Sequence, residues 1–315
     1  MKHLDGKVIA ITGAGSGIGA ATARLAAAEG ARVLVNDIDR TTAERVAAGI
    51  RATGGEALVH VADISTPAAA RGLVEACLDT WGALDGLVNN AGLHHLASIE
   101  EEDEDEAARL IQVNVLGSFY CGLAALREMR RRGSGSLVNT TSGAQAGITL
   151  TGAYSASKGA VASMTYAWAI DCAGSGVRVN AFSPMAGNSA QGDHSKMPAN
   201  TTAYFTARGL PPWPMPTATP EDNAPVSCYL LSDRARHING QVVRIDGKRL
   251  SLMTHPAALH PILERPAWTV ADIADAFDQG LGQNQQPLGM ITSEGAALKP
   301  YALTYPAGKT SPGGN

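Results

Sequence analysis

Short β-branched runs alternate with longer amphipathic stretches along most of this chain, and no other feature limits its fold so strongly. The runs are KVIAIT (7–12), RVLVN (32–36), ALVHV (57–61), LDGLVN (84–89), GSLVNT (135–140), VRVNAF (177–182) and QVVRID (241–246). Helical patterns fill the intervals at 17–29, 41–53, 67–81, 105–131, 152–172 and 221–232. Strands that are apolar throughout must be covered on both faces, and intervening helices supply that cover in a parallel sheet. The pattern predicts an α/β fold with a doubly wound, mostly parallel, seven-stranded sheet and helices on both faces.

Two segments break the rhythm. Residues 184–220 are irregular and rich in proline, and a loop that long inside a domain usually serves a ligand. It follows the sixth strand, at the carboxyl end of the sheet where such folds bind small molecules. Its Tyr204, Phe205 and Trp213 suggest a small, largely apolar substrate. Residues 251–315 form an extension beyond a catalytic domain of residues 1–250. One amphipathic helix is expected there, from Val270 to about Leu281, with Thr269 as its N-cap. A lone amphipathic helix does not fold by itself, so it is expected to dock on the main body or on a neighbouring subunit.

Composition removes several classes of function. Of the 315 residues 45% are hydrophobic and 17% charged, which suits a large core and not a disordered chain. The formal net charge is −4, and nucleic-acid binders usually carry a basic surplus. The compact basic cluster Arg127, Arg130, Arg131 and Arg132 ends a helical pattern, where cations complement the helix dipole. No nucleic-acid partner is expected. Cys77, Cys121, Cys172 and Cys228 are widely spaced, so they read as buried thiols, and no metal site is expected. The apolar stretch between Arg109 and Arg127 is interrupted by Gln112, Asn114 and Ser118, and the N-terminus lacks the marks of a signal peptide. A cytoplasmic protein without a membrane span is the expectation.

The first run leads straight into Thr12-Gly13-Ala14-Gly15-Ser16-Gly17-Ile18-Gly19 and then into a helix. Glycines at this junction let the chain turn sharply, let backbone N–H groups approach a pyrophosphate, and let helix and strand pack closely. The turn is therefore a candidate dinucleotide cradle. Asp37 ends the second run, where a carboxylate accepts from the adenosine ribose diol and repels a 2′-phosphate. With Ile38 and Asp39 next to it and no adjoining cation, NAD is favoured over NADP. Asp63, with Ile64 beside it, ends the third run, either to meet the adenine edge or to order a turn.

Tyr154-Ser155-Ala156-Ser157-Lys158 puts a phenol and an ammonium on one helix face. A free phenol has a pKa near 10, and bringing it to neutrality takes about 4 kcal/mol, which a neighbouring cation is expected to provide. Ser142 follows the fifth run, where its hydroxyl can bond a substrate oxygen. Asn114 lies in an apolar helix pattern, as a core amide or as part of the site. His94 and His95 border either the substrate or the surface. Glu100 to Glu106 reads as a solvated helix start.

In order and spacing, TGAGSGIG, Asp63, Asn89-Asn90-Ala91-Gly92, Asn114, Ser142 and YSASK resemble the short-chain dehydrogenase/reductase superfamily over about residues 5–247. The resemblance implies a Rossmann-like fold and a homodimer or homotetramer. It implies that Tyr154 is the catalytic acid/base, Lys158 its partner and a cofactor contact, Ser142 the substrate-orienting hydroxyl, and Asn114 the holder of a proton-relay water. Asn90, Ala91 and Gly92 resemble the segment flanking the adenosine ribose. Pro184 and Ser189 are the corresponding contacts after the sixth strand, where Met185 replaces the family's usual glycine. The implied activity is hydride transfer between NAD and a secondary alcohol or ketone. The alternatives are 3-oxoacyl or 3-hydroxyacyl thioester chemistry, or NAD sensing without turnover.

Overall fold

Successive residues of a strand face opposite sides of its sheet, and here both sets are apolar. The computed structural model describes residues 2–185, 218–284 and 286. The seven runs form β1 (Val8–Ile11), β2 (Arg32–Asp37), β3 (Glu56–Val61), β4 (Gly86–Asn89), β5 (Gly135–Thr140), β6 (Val177–Ser183) and β7 (Val242–Asp246). The helices among them are α1 (Gly17–Ala28), α2 (Arg40–Ala52), α3 (Pro67–Trp81), α4 (Glu104–Ile111), α5 (Ser118–Arg132), α6 (Gly152–Asp171) and α7 (Pro220–Leu231). One sheet face buries Ile9, Ile11, Val33, Val35, Val88, Val138 and Phe182 with residues of α1, α2 and α7. The other buries Val8, Ala10, Leu34, Leu87, Leu137, Val177 and Val179 with residues of α3 and α5. Truncating a fully buried side chain such as Leu87 to alanine would cost about 2–5 kcal/mol.

Side chains at the helix starts set the boundaries. Asp39 accepts from the amides of Thr41 and Thr42, Thr66 from that of Ala69, and Asp103 from that of Glu106. Thr219 and Asp222 cap α7 reciprocally. The long pattern predicted at 105–131 is one continuous helical path, Glu104–Arg132, whose middle widens into a π-helical turn at Gln112–Gly117. By length and composition this path could cross a bilayer, but Leu110, Cys121, Ala125, Leu126 and Met129 are buried in the protein core.

Seven strands was one too few. Arg249–Leu252 forms β8, antiparallel to β7, with Asp246 opposite Arg249 across the short Gly247-Lys248 turn. Gly247 has φ +56°, a conformation glycine adopts without penalty. All four β8 residues are exposed, so no buried apolar run marked this strand in the sequence. The order is β3-β2-β1-β4-β5-β6-β7-β8, parallel throughout except for the last pair. Connection direction reverses between β1 and β4, which opens a crevice at their carboxyl ends.

The chain divides into two units, whose described residues are 2–185 with 218–253, and 254–284 with 286. The second holds the predicted helix as Val270–Gln279, capped reciprocally by Thr269 and Asp272. Arg265 pairs with Asp272, and its guanidinium lies 5.2 Å from the centre of the Trp268 ring. Ala276 of this helix is buried, whereas Val270, Ile273 and Phe277 are exposed. Tyr204, Phe205, Trp213 and nearly all of the 184–220 loop lie outside the described residues.

Candidate active site

The crevice begins at the glycine turn. Gly13 and Gly17 have φ +61° and +53°, in the left-handed region. A Cβ on Gly13 would lie 2.8 Å from the Cα of Ala91, and one on Gly19 would lie 2.3 Å from the carbonyl oxygen of Gly13. Such contacts with backbone atoms cannot be relieved by a rotamer change. At Gly15 a Cβ would meet Thr42 Oγ1 at 2.5 Å and Asp37 Oδ2 at 2.8 Å. Ser16 precedes α1 without a side-chain cap bond, unlike the residues that open α2, α3 and α4. The first N–H groups of α1 are thus left for an anion. Glycine cradle and uncapped helix start together fit a dinucleotide pyrophosphate. Ile18 lies in the first turn of that helix.

Asp37 ends β2, and its Oδ2 accepts from the Gly15 amide at 2.9 Å while Oδ1 accepts from Asp39 at 3.1 Å. Ile38 beside it is exposed. Thr12 and Asn90 bind each other's surroundings. Thr12 Oγ1 accepts from the amides of Asn90 and Ala91, both at 3.0 Å, and Asn90 Nδ2 donates to the carbonyls of Thr12 and Gly13 at 3.0 and 3.1 Å. These two residues therefore join the glycine turn to the segment after β4. Asp63 Oδ1 accepts from the Ser65 amide at 3.0 Å, the turn-ordering bond foreseen as one of its two roles. Ile64 is buried where Gly117 leaves room, since a Cβ on Gly117 would lie 2.1 Å from Ile64 Cδ1.

Further along the crevice, Asn114 sits in the π-helical turn and is 1% exposed. Its Oδ1 accepts from the Leu93 amide at 2.6 Å, and its Nδ2 donates to Leu93 O at 2.9 Å and Ser157 Oγ at 3.1 Å. It ties the segment after β4 to α6, as the core-amide reading expects. A Cβ on Gly92 would stand 3.0 Å from Asn114 Oδ1 and 3.6 Å from Lys158 Nζ.

Ser142, Tyr154 and Lys158 converge at the end of β5. Lys158 is 5% exposed and donates to the Thr140 carbonyl at 3.0 Å. Its Nζ lies 5.6 Å from the centre of the Tyr154 ring. The Tyr154 hydroxyl hydrogen-bonds Ser142, which also accepts from the Ala144 amide at 3.2 Å. The expected acidification of the phenol is not found. Burial pushes Tyr154 up to about 12, only partly opposed by the Ser142 bond, and burial also brings Lys158 down to about 8. Burial is the larger influence on both groups.

His94 meets Tyr154 edge to face, with ring centres 4.5 Å apart, so it lines the site. His95 instead lies between Glu106 at 3.1 Å and Glu102 at 3.7 Å. Pro184 and Met185 follow β6. The Met185 amide donates to Asn223 Oδ1 at 3.0 Å, and Asn223 Nδ2 returns a bond to the Met185 carbonyl at 3.0 Å. Asn223 had escaped sequence reasoning, as a lone buried amide in the apolar pattern of α7 carries no spacing signal. Ser189 lies outside the described residues. No group of three or more His, Cys, Asp or Glu suited to a metal occurs among the described residues.

Residues 7–196 match the short chain dehydrogenase family. The chain belongs to that family. This short-chain dehydrogenase is 39% identical over 247 residues to 2-(S)-hydroxypropyl-CoM dehydrogenase 3 of Xanthobacter autotrophicus, covering 78% of its own length and 97% of the relative's. A solved short chain dehydrogenase from Mycobacterium avium matches with a TM-score of 0.76 at 31% identity, over 92% of this chain and all of that one. A gluconate 5-dehydrogenase from Burkholderia cenocepacia, solved with NADP and tartrate, matches with a TM-score of 0.68 at 28% identity, over 78% and 96%. The protein is therefore an oxidoreductase of the nicotinamide-dependent kind.

Proposed function

We propose that this short-chain dehydrogenase interconverts a secondary alcohol and its ketone with NAD, and that Tyr154 carries the proton. One observation carries the reading: the Tyr154 hydroxyl is bonded to Ser142 while the Lys158 ammonium stands 5.6 Å from its ring. When bound, the nicotinamide accepts or returns the hydride. A phenol pushed up to about 12 holds its proton at neutral pH and gives it to a ketone oxygen during reduction. For oxidation the same oxygen takes the alcohol proton, and the buried Lys158 cation favours the anionic form. Ser142 bonds the substrate oxygen. Asn114 Oδ1 has a second lone pair beyond its Leu93 bond, able to accept from a relay water.

NAD is the proposed cofactor because Asp37, a carboxylate, ends β2, while Arg40 pairs with Glu44 at 3.9 Å. Thr12 and Asn90 shape the cradle, and Asp63, Ile64 and the Asn90–Gly92 segment flank the adenosine in this reading. Pro184, just after β6, would adjoin the nicotinamide in the same reading. The relative named for a hydroxypropyl substrate supports a secondary alcohol. Four free, buried cysteines suit a reducing cytoplasm, and a homodimer or homotetramer completes the reading. Docking of the extension helix is supported by its exposed Val270, Ile273 and Phe277.

The test is Tyr154→Phe, assayed over a panel of secondary alcohols and ketones with NAD and NADP in parallel. Hydride transfer should be lost with NAD affinity retained. Undiminished turnover in the variant would remove Tyr154 from the mechanism.

A further inference from the structure

The segment between β4 and α4 is tied down at successive residues. Leu93 is bound through both its amide and its carbonyl to Asn114. Two residues on, His95 has a carboxylate at each ring nitrogen, Nδ1 3.1 Å from Glu106 Oε2 and Nε2 3.7 Å from Glu102 Oε1. Next, the Ala97 amide donates to Leu150 O at 3.0 Å, and Ala97 bridges to Thr151 just before α6. Leu150 has φ +62°, a strained conformation for a leucine, at the point that receives this bond. His94 lies between the Leu93 and His95 anchors, and its ring is the one placed edge-on against Tyr154.

The His95 side chain does not reach the phenol. It holds the loop to the head of α4, which carries Glu104, Asp105 and Glu106 in its first turn. Glu106 Oε2 lies within hydrogen-bond distance of Nδ1, while Glu102 Oε1 stands farther off, facing Nε2 at 3.7 Å. Glu102 and Glu106 are thus more than a solvated face.

We propose that His95 is a positioning residue for the reaction: clasped by Glu102 and Glu106, it fixes the loop after β4 so that His94 braces the Tyr154 ring beside Ser142. This inference rests on Tyr154 being the acid/base. A phenol that swings away from Ser142 loses the geometry in which its proton reaches substrate oxygen, and small misplacements near a reacting atom are expensive in rate.

The experiment compares His95→Phe and His95→Arg with the wild type and with Tyr154→Phe, all as full chains. Phenylalanine keeps a ring without donors, whereas a guanidinium fork supplies donors toward the carboxylates. His95→Phe should lower kcat by about tenfold or more while NAD binding stays within about twofold, and His95→Arg should restore kcat to within about threefold of wild type. With tyrosine ring carbons labelled, the NMR signal missing from Tyr154→Phe should shift in His95→Phe and return in His95→Arg, without substrate present. An unmoved Tyr154 signal in a folded His95→Phe protein would overturn the proposal, as would failure of arginine to rescue either readout. If Tyr154→Phe remains active, the acid/base reading fails instead; if it is inactive and His95→Phe retains wild-type kcat, only this inference fails.

Discussion

Replacing Lys158 by methionine should make the chain more stable at neutral pH while ending the proposed turnover. Lys158 is 5% exposed, and burial brings its ammonium from 10.5 down to about 8. Between those values the unfolded chain holds more protons than the folded one, so wild-type stability rises with pH through that window. At pH 7 keeping the charge buried costs about 3 kcal/mol. Methionine removes that cost but strips the Thr140 carbonyl of its donor, a loss of about 1 kcal/mol. The net gain at pH 7 is therefore about 2 kcal/mol. By pH 10 most of the wild-type penalty has disappeared, so the advantage of the variant should all but vanish. Denaturant unfolding of both proteins at pH 7 and pH 10 measures this directly, because other titrating groups are common to the two and cancel. A stability difference that is the same at both pH values would refute the reasoning.

Three further perturbations probe neighbouring parts of the crevice. Gly19→Ala places a Cβ 2.3 Å from a backbone oxygen, and calorimetric titration should find NAD binding weakened by at least about tenfold; wild-type affinity would show that the turn does not cradle the cofactor. Asp37→Ser should lower the ratio of kcat/KM with NAD to that with NADP by about 10–100-fold, the worth of losing charge-assisted bonds to a ribose diol. An unchanged ratio in the paired assay would take Asp37 out of cofactor choice. Asn114→Ala abandons three bonds at a buried site, for a loss of about 2–4 kcal/mol visible in denaturant unfolding; a change below about 0.5 kcal/mol would mean the segment after β4 is held by other contacts.

Elements with a clear apolar period were legible, and β8 and the π-helical turn, which rest on other contacts, were not. The α3 pattern at 67–81 and the β5 run at 135–140 reappear with the same limits, because Thr66, Pro67 and Gly82 mark the helix ends and a run buried on both faces marks the strand. β8 has no buried residue; its pairing with β7 depends on a two-residue turn. The π-helical turn at Gln112–Gly117 arises where a glycine admits Ile64 and an asparagine reaches across to Leu93. Such tertiary contacts leave no period in the sequence. For the same reason the bonds that join Thr12 and Asn90 could not be read from their spacing, and His94 left two readings open until the Tyr154 ring was found against it.

The chemistry of the phenol was misjudged for a reason that can be weighed. Spacing of four on a helix says that Tyr154 and Lys158 share a face, but not how much water either retains. In the fold Lys158 is nearly inaccessible and tied to Thr140, and both groups are driven toward their neutral forms, Tyr154 up to about 12 and Lys158 down to about 8. With burial raising it, Tyr154 in the protein by itself keeps its proton at neutral pH. Ketone reduction needs that state, and alcohol oxidation needs the opposite one. Any oxidising role therefore requires further positive charge or hydrogen bonding to reach the phenol oxygen during turnover. The pH dependence of oxidation should accordingly lie to the alkaline side of that of reduction, and superimposable profiles for the two directions would show that the balance between burial and charge had been drawn wrongly.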